Sequence, residues 1–100
     1  MKSIIEDINK VFENRVRLGI MSALTVQQNT DFNYLKKLLQ VTDGNLAGHL
    51  RKLEKMEYIK VYKKFTGRKP HTTYDATEKG TNAFKSHIDA LEKLINQSKQ

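Results

Sequence analysis

The first quarter of the chain has apolar residues three and four positions apart. They are Ile4, Ile5, Ile8, Val11, Phe12, Val16, Ile20, Met21 and Leu24. This spacing predicts an amphipathic helix from Ile4 to about Gln27, and a break near Glu13-Asn14 would divide it into a short leading helix and a longer second one. The polar residues 27–30 then predict a loop.

Two shorter helices are predicted next, joined by a turn of about two residues. Asp31-Phe32 predicts a very short strand, and Asn33 predicts a helix N-cap, because its side chain can accept a hydrogen bond from a free backbone amide. The first of these helices stops near Val41. Its apolar side consists of Leu35, Leu38 and Leu39.

The second of these helices is predicted to run from a cap at Thr42 to Met56. Asp43 lies in its first turn, where a negative charge suits the positive end of the helix dipole. Leu46, Leu50 and Leu53 recur at i, i+4 and i+7, and this spacing predicts one buried stripe.

A change of period after this helix predicts a β-hairpin. Residues Tyr58 to Phe65 alternate and are rich in β-branched and aromatic types, which is typical of a half-buried strand. Residues 66–71 predict a turn, and Thr72 to Ala76 predict the return strand. We expect four aromatic side chains of the hairpin to lie in the core: Tyr58, Tyr62, Phe65 and Tyr74.

Thr77 predicts the cap of a last helix that extends to about Gln97, with Gly80 packed closely in its first turn. Its apolar stripe consists of Phe84, Ile88, Leu91 and Ile95. This is more than a small domain needs for its own core, so we expect a two-stranded dimer seam, aided by Ile4, Ile5 and Ile8. The alternative is that the helix packs back onto its own domain.

Length and composition restrict the class of protein. A chain of 100 residues without cysteine is the size of one domain, and it can form neither disulfides nor thiolate metal sites. No apolar run approaches the ~20 residues of a membrane span, and acids come too early for a signal peptide. We therefore expect a cytoplasmic protein with no membrane partner.

The charge is unevenly distributed. The formal net charge is +7, which favours a polyanionic partner, although a basic surface can also serve solubility alone. Five cations and no acids lie between Lys60 and Lys69, so the hairpin carries more than half of the net charge. The alternative for these lysines is protection of an edge strand from aggregation.

Three sequence phrases identify a family when they are taken with the element order. They are Thr-Asp-Gly-Asn-Leu at 42–46, His-Leu-Arg-Lys-Leu-Glu at 49–54 and Gly-Arg-Lys-Pro at 67–70. From about Arg15 onward the chain resembles the winged-helix repressors of the ArsR and MarR type, and most of all the short winged helix DNA-binding domain regulators. It departs from ArsR-type recognition helices at Ala47, where they often have serine.

The resemblance implies a mainly α fold with a small β-hairpin, called a winged helix-turn-helix. Residues 1–100 would form one domain, with a three-helix core, a β-wing and the helix at about 77–97 as dimerisation element. The resemblance further implies a homodimer that binds a pseudo-palindromic operator in double-stranded DNA, and we expect a repressor. It implies neither a particular operator sequence nor a particular small-molecule effector.

The candidate DNA contacts lie on the recognition helix and the wing. In a helix-turn-helix, the N-terminal part of the second helix reaches base edges. The recognition-helix candidates are Thr42, Asp43, Gly44, Asn45, Gly48, His49, Arg51 and Lys52. The wing candidates are Lys63, Lys64, Arg68 and Lys69. Either Lys36 or Lys37, on the preceding helix, could also touch phosphate.

Each candidate has a role and an alternative. Asn45 could bind adenine, and His49 could donate to a guanine acceptor or a phosphate. Gly44 and Gly48 would let the backbone approach the groove, and Arg68 would enter or skirt the minor groove. The alternatives are a capping or solvent-facing role for Asn45, tight packing or chance for the glycines, and a solvated face for the cations.

Other functions fit the sequence less well. His49, His71 and His87 lie far apart without partner cysteines, so we expect surface histidines and no metal or other cofactor. No motif of a hydrolase or nucleotide-binding enzyme is present, so we expect no enzyme. A winged helix that binds a protein partner is the main alternative, and RNA binding is a third, disfavoured by the lack of an exposed aromatic platform.

Overall fold

The structure, a computed structural model, describes Ser3 and residues 5–98. Its helices and strands are a 3₁₀ helix Lys10–Glu13, α1 Arg15–Leu24, β1 Thr30–Asp31, α2 Phe32–Leu39, α3 Asp43–Lys55, β2 Ile59–Thr66, β3 Lys69–Ala76 and α4 Glu78–Ser98. The predicted class, mainly α with a β-hairpin, is confirmed. Among the described residues, no helix is long and apolar enough to cross a bilayer.

The N-terminal segment is less helical than predicted. The predicted break near Glu13-Asn14 is present, but the leading piece is a 3₁₀ helix and α1 ends at Leu24 rather than Gln27. The Asn9 side chain accepts a hydrogen bond from the Val11 amide, and Asn14 caps α1. These asparagines give the backbone hydrogen-bond acceptors that compete with one continuous helix.

The cap of α2 is Asp31, and the prediction of Asn33 is wrong. Thr30 and Asp31 pair with β3, so the strand lies one residue earlier than predicted. Asp31 is therefore still extended where pairing ends, and its carboxylate accepts the Tyr34 amide at 2.7 Å. The connection from α2 to α3 has three residues rather than two, and Gln40 adopts a left-handed conformation with φ of 53°.

The three strands form an antiparallel sheet in the order β1-β3-β2. The turn of the hairpin contains only Gly67 and Arg68, so the predicted turn of residues 66–71 is too long: Thr66 still pairs with Lys69. Gly67 has a φ of +67°, which allows a tight two-residue turn with glycine first. The ladder therefore continues to the tip of the wing.

The core lies between α1, α2, α3 and the root of the hairpin. Its buried apolar residues are Phe12, Ile20, Met21, Ala23, Leu24, Leu35, Leu46, Leu50, Leu53, Tyr58, Ile59 and Tyr74. Tyr62 is half-buried, whereas Phe65 is 75% exposed, so the prediction of Phe65 in the core is wrong. Beyond Tyr62 both faces of β2 are exposed, because the hairpin extends past the body of the domain.

Two residues of α4 fix how it joins the domain. A Cβ atom at Gly80 would overlap the Tyr58 carbonyl group, which confirms the predicted close packing. His87 is only 3% exposed, so the prediction of a surface histidine is wrong there. The N-terminal segment covers it: the Asn9 backbone amide donates to His87 Nδ1 at 3.0 Å, and Phe12 packs against its ring.

Candidate nucleic-acid interface

The leucine stripe sets the orientation of α3. Leu46, Leu50 and Leu53 are at most 3% exposed, which confirms the predicted buried stripe. The other side of α3 faces outward. Thr42, Asp43, Gly44, Asn45, Arg51 and Lys52 are exposed there, and Gly48 and His49 are half-buried. The helix therefore presents all eight recognition-helix candidates at its accessible side.

The amino end of α3 is ordered by its own side chains. Thr42 Oγ1 accepts the backbone amide of Asn45 at 3.2 Å, so the cap is Thr42, and Asn45 is not needed for capping. Asp43 forms an ion pair with Lys36 of α2 at 2.8 Å. This pair occupies Lys36, and it offsets a carboxylate that would otherwise repel a phosphate.

The two glycines of α3 face open space. A Cβ at Gly44 would meet nothing within 4 Å, and a Cβ at Gly48 would only meet Arg51 Nη2 at 4.0 Å. Tight packing within the described chain therefore does not explain either glycine. Gly48, in the interior of α3, lowers helix propensity by roughly 1 kcal/mol relative to alanine, and no packing contact of the described chain compensates for it.

His49 is held by an arginine of α1. Arg17 Nη1 lies 3.0 Å from His49 Nδ1, and Arg17 Nε donates to the Val11 carbonyl at 2.7 Å. Burial, followed by the positive charges of Arg17 and Lys52, lowers the pKa of His49 below its ordinary value. The ring is therefore neutral near pH 7, because burial and the two neighbouring cations all oppose its protonation.

The recognition helix and the wing form two walls of one cleft. Arg51 and Glu54 of α3 line it together with Val61, Lys63, Thr72 and Tyr74 of the hairpin, and its volume is about 340 Å³. We call this the α3–wing cleft. Since Val61 pairs with Tyr74 and Lys63 with Thr72, this is one face of the β-ladder.

The wing cations divide between the two faces of the hairpin. Side chains alternate along a strand, so Lys63 lies on the face of the α3–wing cleft, while Lys64 lies on the reverse face. Lys69 pairs with Thr66, an even-numbered position like Lys64, and so shares the reverse face. Arg68 occupies the turn itself, and all four cations are exposed.

A second cleft begins at the other side of α3. It is lined by Arg15, Val16, Leu38, Leu39, Gln40, Val41, Thr42 and Asn45, with a volume of about 610 Å³. Arg15 is therefore an exposed cation beside the amino end of the recognition helix. Neither Arg15 nor Arg17 is among the site residues predicted from the sequence. The sequence shows only two arginines in the first turn of a helix. They can be assigned to the site once the packing of α1 against α3 is known.

The predicted dimer residues have different surroundings. Ile4 lies outside the described residues. Phe84 packs edge-to-face on Phe12 at 5.4 Å between ring centroids, so it belongs partly to its own core. Ile5, Ile88 and Ile95 are 60%, 41% and 56% exposed, and Ile8 and Leu91 are half-buried.

Two depressions border α4. Asp7 of the N-terminal segment lies in a depression with Ser86, Asp89 and Lys93. Val26, which is 85% exposed, borders a mostly apolar depression with Phe84 and Ile88. The depression beside Val26 therefore leaves apolar surface of α4 exposed in a single chain.

No group of three or more His, Cys, Asp or Glu side chains within the described residues could hold a metal ion.

Comparisons with known proteins agree with this geometry. Residues 16–95 match the family model of a winged helix DNA-binding domain. An uncharacterized protein of Methanocaldococcus jannaschii is 39% identical over 79% of this chain and 86% of its own. A structure described as a transcriptional regulator homologue from Pyrococcus horikoshii is 32% identical, covers 97% of this chain and 94% of its own, and has a TM-score of 0.85.

More distant structures share the fold. The structure of MepR from S. aureus, solved in complex with DNA, is 17% identical, covers 90% of this chain and 77% of its own, and has a TM-score of 0.74. At this identity the similarity concerns the fold alone.

Proposed function

Because the chain belongs to the family of winged helix DNA-binding domains, we propose that it is a sequence-specific transcriptional regulator that binds double-stranded DNA as a homodimer. Its fold is that of MarR-like regulators. A dimer bound across an operator blocks access to that DNA, so we propose a repressor. We propose no catalytic activity and no cofactor.

The observation that carries the proposal is the α3–wing cleft. Arg51 from the helix and Lys63 from the hairpin line the same concave surface. A duplex offers a groove between two rows of phosphates, and a helix flanked by cations fits it. A basic surface that served only solubility would need no such arrangement.

We propose that different parts of this surface contact different parts of the DNA. The amino end of α3 enters the major groove, where Asn45 and His49 face base edges and the open backbone at Gly44 and Gly48 permits a close approach. Arg15 lies beside this end, and Arg51 and Lys52 follow in the carboxy-terminal half of α3, so we assign phosphate contacts to all three. The wing reaches the neighbouring stretch of DNA with its tip, where Arg68 lies at the minor groove and Lys63 faces the backbone. Lys64 and Lys69, on the reverse face, contribute less.

Helix α4 is proposed to join two copies. It has 21 residues and is therefore roughly 32 Å long. Ile88 and Ile95 leave apolar surface exposed along it, and Val26 extends this surface beside Ile88. A second copy packed there, aided by the N-terminal isoleucines, would bring two recognition helices to successive turns of DNA, ~34 Å apart.

Selection of bound sequences from a random duplex pool tests DNA recognition. We expect one enriched palindromic motif and a steep loss of affinity as salt rises, because several phosphates are neutralised. Asn45→Ala should relax preference at one base pair, whereas Arg68→Ala should weaken binding to all duplexes by about 1–2 kcal/mol. Lys79→Ala, a loss of charge at the start of α4, is the matched control and should bind normally. An unenriched pool with salt-independent protein binding would instead favour a protein-docking winged helix.

Sedimentation equilibrium tests the dimer. The chain has a mass of 11.6 kDa, and we expect twice this mass in solution. Ile95→Asp should shift the mass to that of one chain, because a buried carboxylate opposes association. Asn96→Asp adds the same charge at the next position of α4, which is not part of the apolar stripe, and should remain dimeric. Equal behaviour of the two variants would contradict this interface.

A further inference from the structure

Arg17 links the 3₁₀ helix to the recognition helix. Its guanidinium donates through Nε to the Val11 carbonyl at 2.7 Å, and Nη1 lies 3.0 Å from His49 Nδ1. Arg17 is half-buried, and two bonds from one planar group fix its plane. Arg17 therefore fixes the His49 ring through Nδ1. It does so from α1, a helix that was not predicted to belong to the interface.

This hydrogen bond fixes the tautomer of His49. A guanidinium has only donors, so His49 Nδ1 must be the acceptor, and the ring proton must be on Nε2. His49 is thus a neutral ring whose remaining nitrogen is a donor. Lys52 lies close enough to add to the charge that opposes protonation.

We propose that Arg17 is a positioning residue that presents His49 as a neutral Nε2–H donor to a purine acceptor in the major groove. The acceptors of this kind are N7 of a purine and O6 of guanine. The inference rests on the proposed DNA binding and deepens it, because it assigns His49 to base recognition rather than to phosphate neutralisation. A neutral donor gains little from a phosphate compared with the lysines and arginines around it.

The chain contains its own control for this role. Arg15 precedes Arg17 by two residues in the same first turn of α1, carries the same charge and is exposed beside Asn45. Of these two arginines, Arg17 is the one that forms a hydrogen bond with His49. Removal of Arg15 therefore reports loss of charge alone, and removal of Arg17 reports loss of charge together with loss of ring orientation.

The first arm of the test is NMR of the imidazole ring in the DNA-free protein. We expect the Nε2–H tautomer at pH 7 in the wild-type chain. Arg17→Met should populate both tautomers and raise the titration midpoint of His49, and Arg15→Met should leave the tautomer unchanged. A protonated or Nδ1–H ring in the wild type, or a ring unaffected by Arg17→Met, would overturn the proposal.

The second arm is sequence selection with each variant. Arg17→Met and His49→Ala should each reduce preference at the same base pair by about tenfold, the scale of one lost base contact, and the double variant should lose no more. Arg15→Met should weaken all sequences alike. Arg17→Lys keeps the charge and tests the case in which Arg17→Met folds poorly: it should retain overall affinity but not the preference, since an ammonium cannot make both bonds in one plane.

The outcomes separate this inference from the proposed function. A wild-type chain that selects no sequence would overturn DNA recognition, and base reading by His49 with it. A wild-type chain that selects a sequence while Arg17→Met and Arg17→Lys keep full preference would overturn only the role of Arg17. Thermal melting of each variant shows that the compared proteins are folded.

Discussion

Gly48→Ala should make the protein more stable and a poorer DNA binder. Gly48 lies within α3, and an added Cβ would meet no protein atom closer than Arg51 Nη2 at 4.0 Å. Alanine in a helix interior is favoured over glycine by roughly 1 kcal/mol. For a domain of this size, this corresponds to a rise in Tm of roughly 4–8 °C.

The effect on binding has the opposite sign. The added methyl group extends about 1.5 Å from Cα on the side of α3 that we place in the major groove. Hydrogen bonds to bases hold donor and acceptor at ~2.7–3.2 Å, so a helix pushed outward by about 1 Å loses them. We expect a loss of affinity for the selected duplex of about tenfold, which is about 1.4 kcal/mol.

Two measurements on the Gly48→Ala protein test the expected rise in Tm and the expected loss of DNA affinity. Thermal unfolding followed by circular dichroism gives the change in Tm, and fluorescence anisotropy with a labelled duplex gives Kd. Asn82→Ala, at an exposed position of α4, is the control, because it also raises helix propensity and should leave Kd unchanged. A Gly48→Ala protein that is stabilised and binds as tightly as the wild type would refute a close approach of the α3 backbone.

Three further predictions concern packing, pH and the wing. Gly80→Ala should lower the free energy of unfolding by about 1–3 kcal/mol in urea titrations, because its Cβ overlaps the Tyr58 carbonyl; an unchanged midpoint would contradict that contact. Burial lowers the pKa of His87, so the folded state binds its proton less readily than the unfolded state, and stability that is complete above about pH 6.5 should fall as the pH drops below it. A His87→Gln protein with the same acid sensitivity would disprove this assignment. Lys63→Ala should reduce the slope of log K against log salt by about one, whereas Lys64→Ala, on the reverse face, should change it less; equal slopes would contradict the division of the wing faces.

The sequence was sufficient for the order of elements and the family. Leu46, Leu50 and Leu53 are all buried because a leucine every three or four residues has only one face on which to pack. The match over residues 16–95 confirms the resemblance to winged helix DNA-binding domains. The hairpin was also predictable, because alternation of side chains depends on the local backbone alone.

The features that were predicted wrongly are determined by contacts between segments that are distant in the sequence. Asn33 and Asp31 are both good N-caps, and the choice is made by the pairing of β1 with β3, which no local pattern contains. Phe65 alternates correctly with its neighbours, but the body of the domain ends before it. His87 is buried because Asn9, far away in sequence, donates to its ring.

Only part of the candidate site could be predicted from the sequence, for the same reason. Cations on α3 and the wing were evident from charge and spacing. Arg15 and Arg17 were not, because their place beside α3 follows from how α1 packs in the core. The open space around Gly44 and Gly48 likewise cannot be predicted from the sequence, because it depends on which segments surround α3.

The central claim is that the recognition helix and the wing bind one duplex together. A titration of the ¹⁵N-labelled protein with its selected duplex, followed by two-dimensional amide NMR, tests it residue by residue. We expect the amides of residues 42–52 and 63–69 to shift together and to saturate at the same DNA concentration, while the solvent-facing amides of α4 change little. Shifts confined to one of the two segments, or centred on α4, would contradict a shared surface.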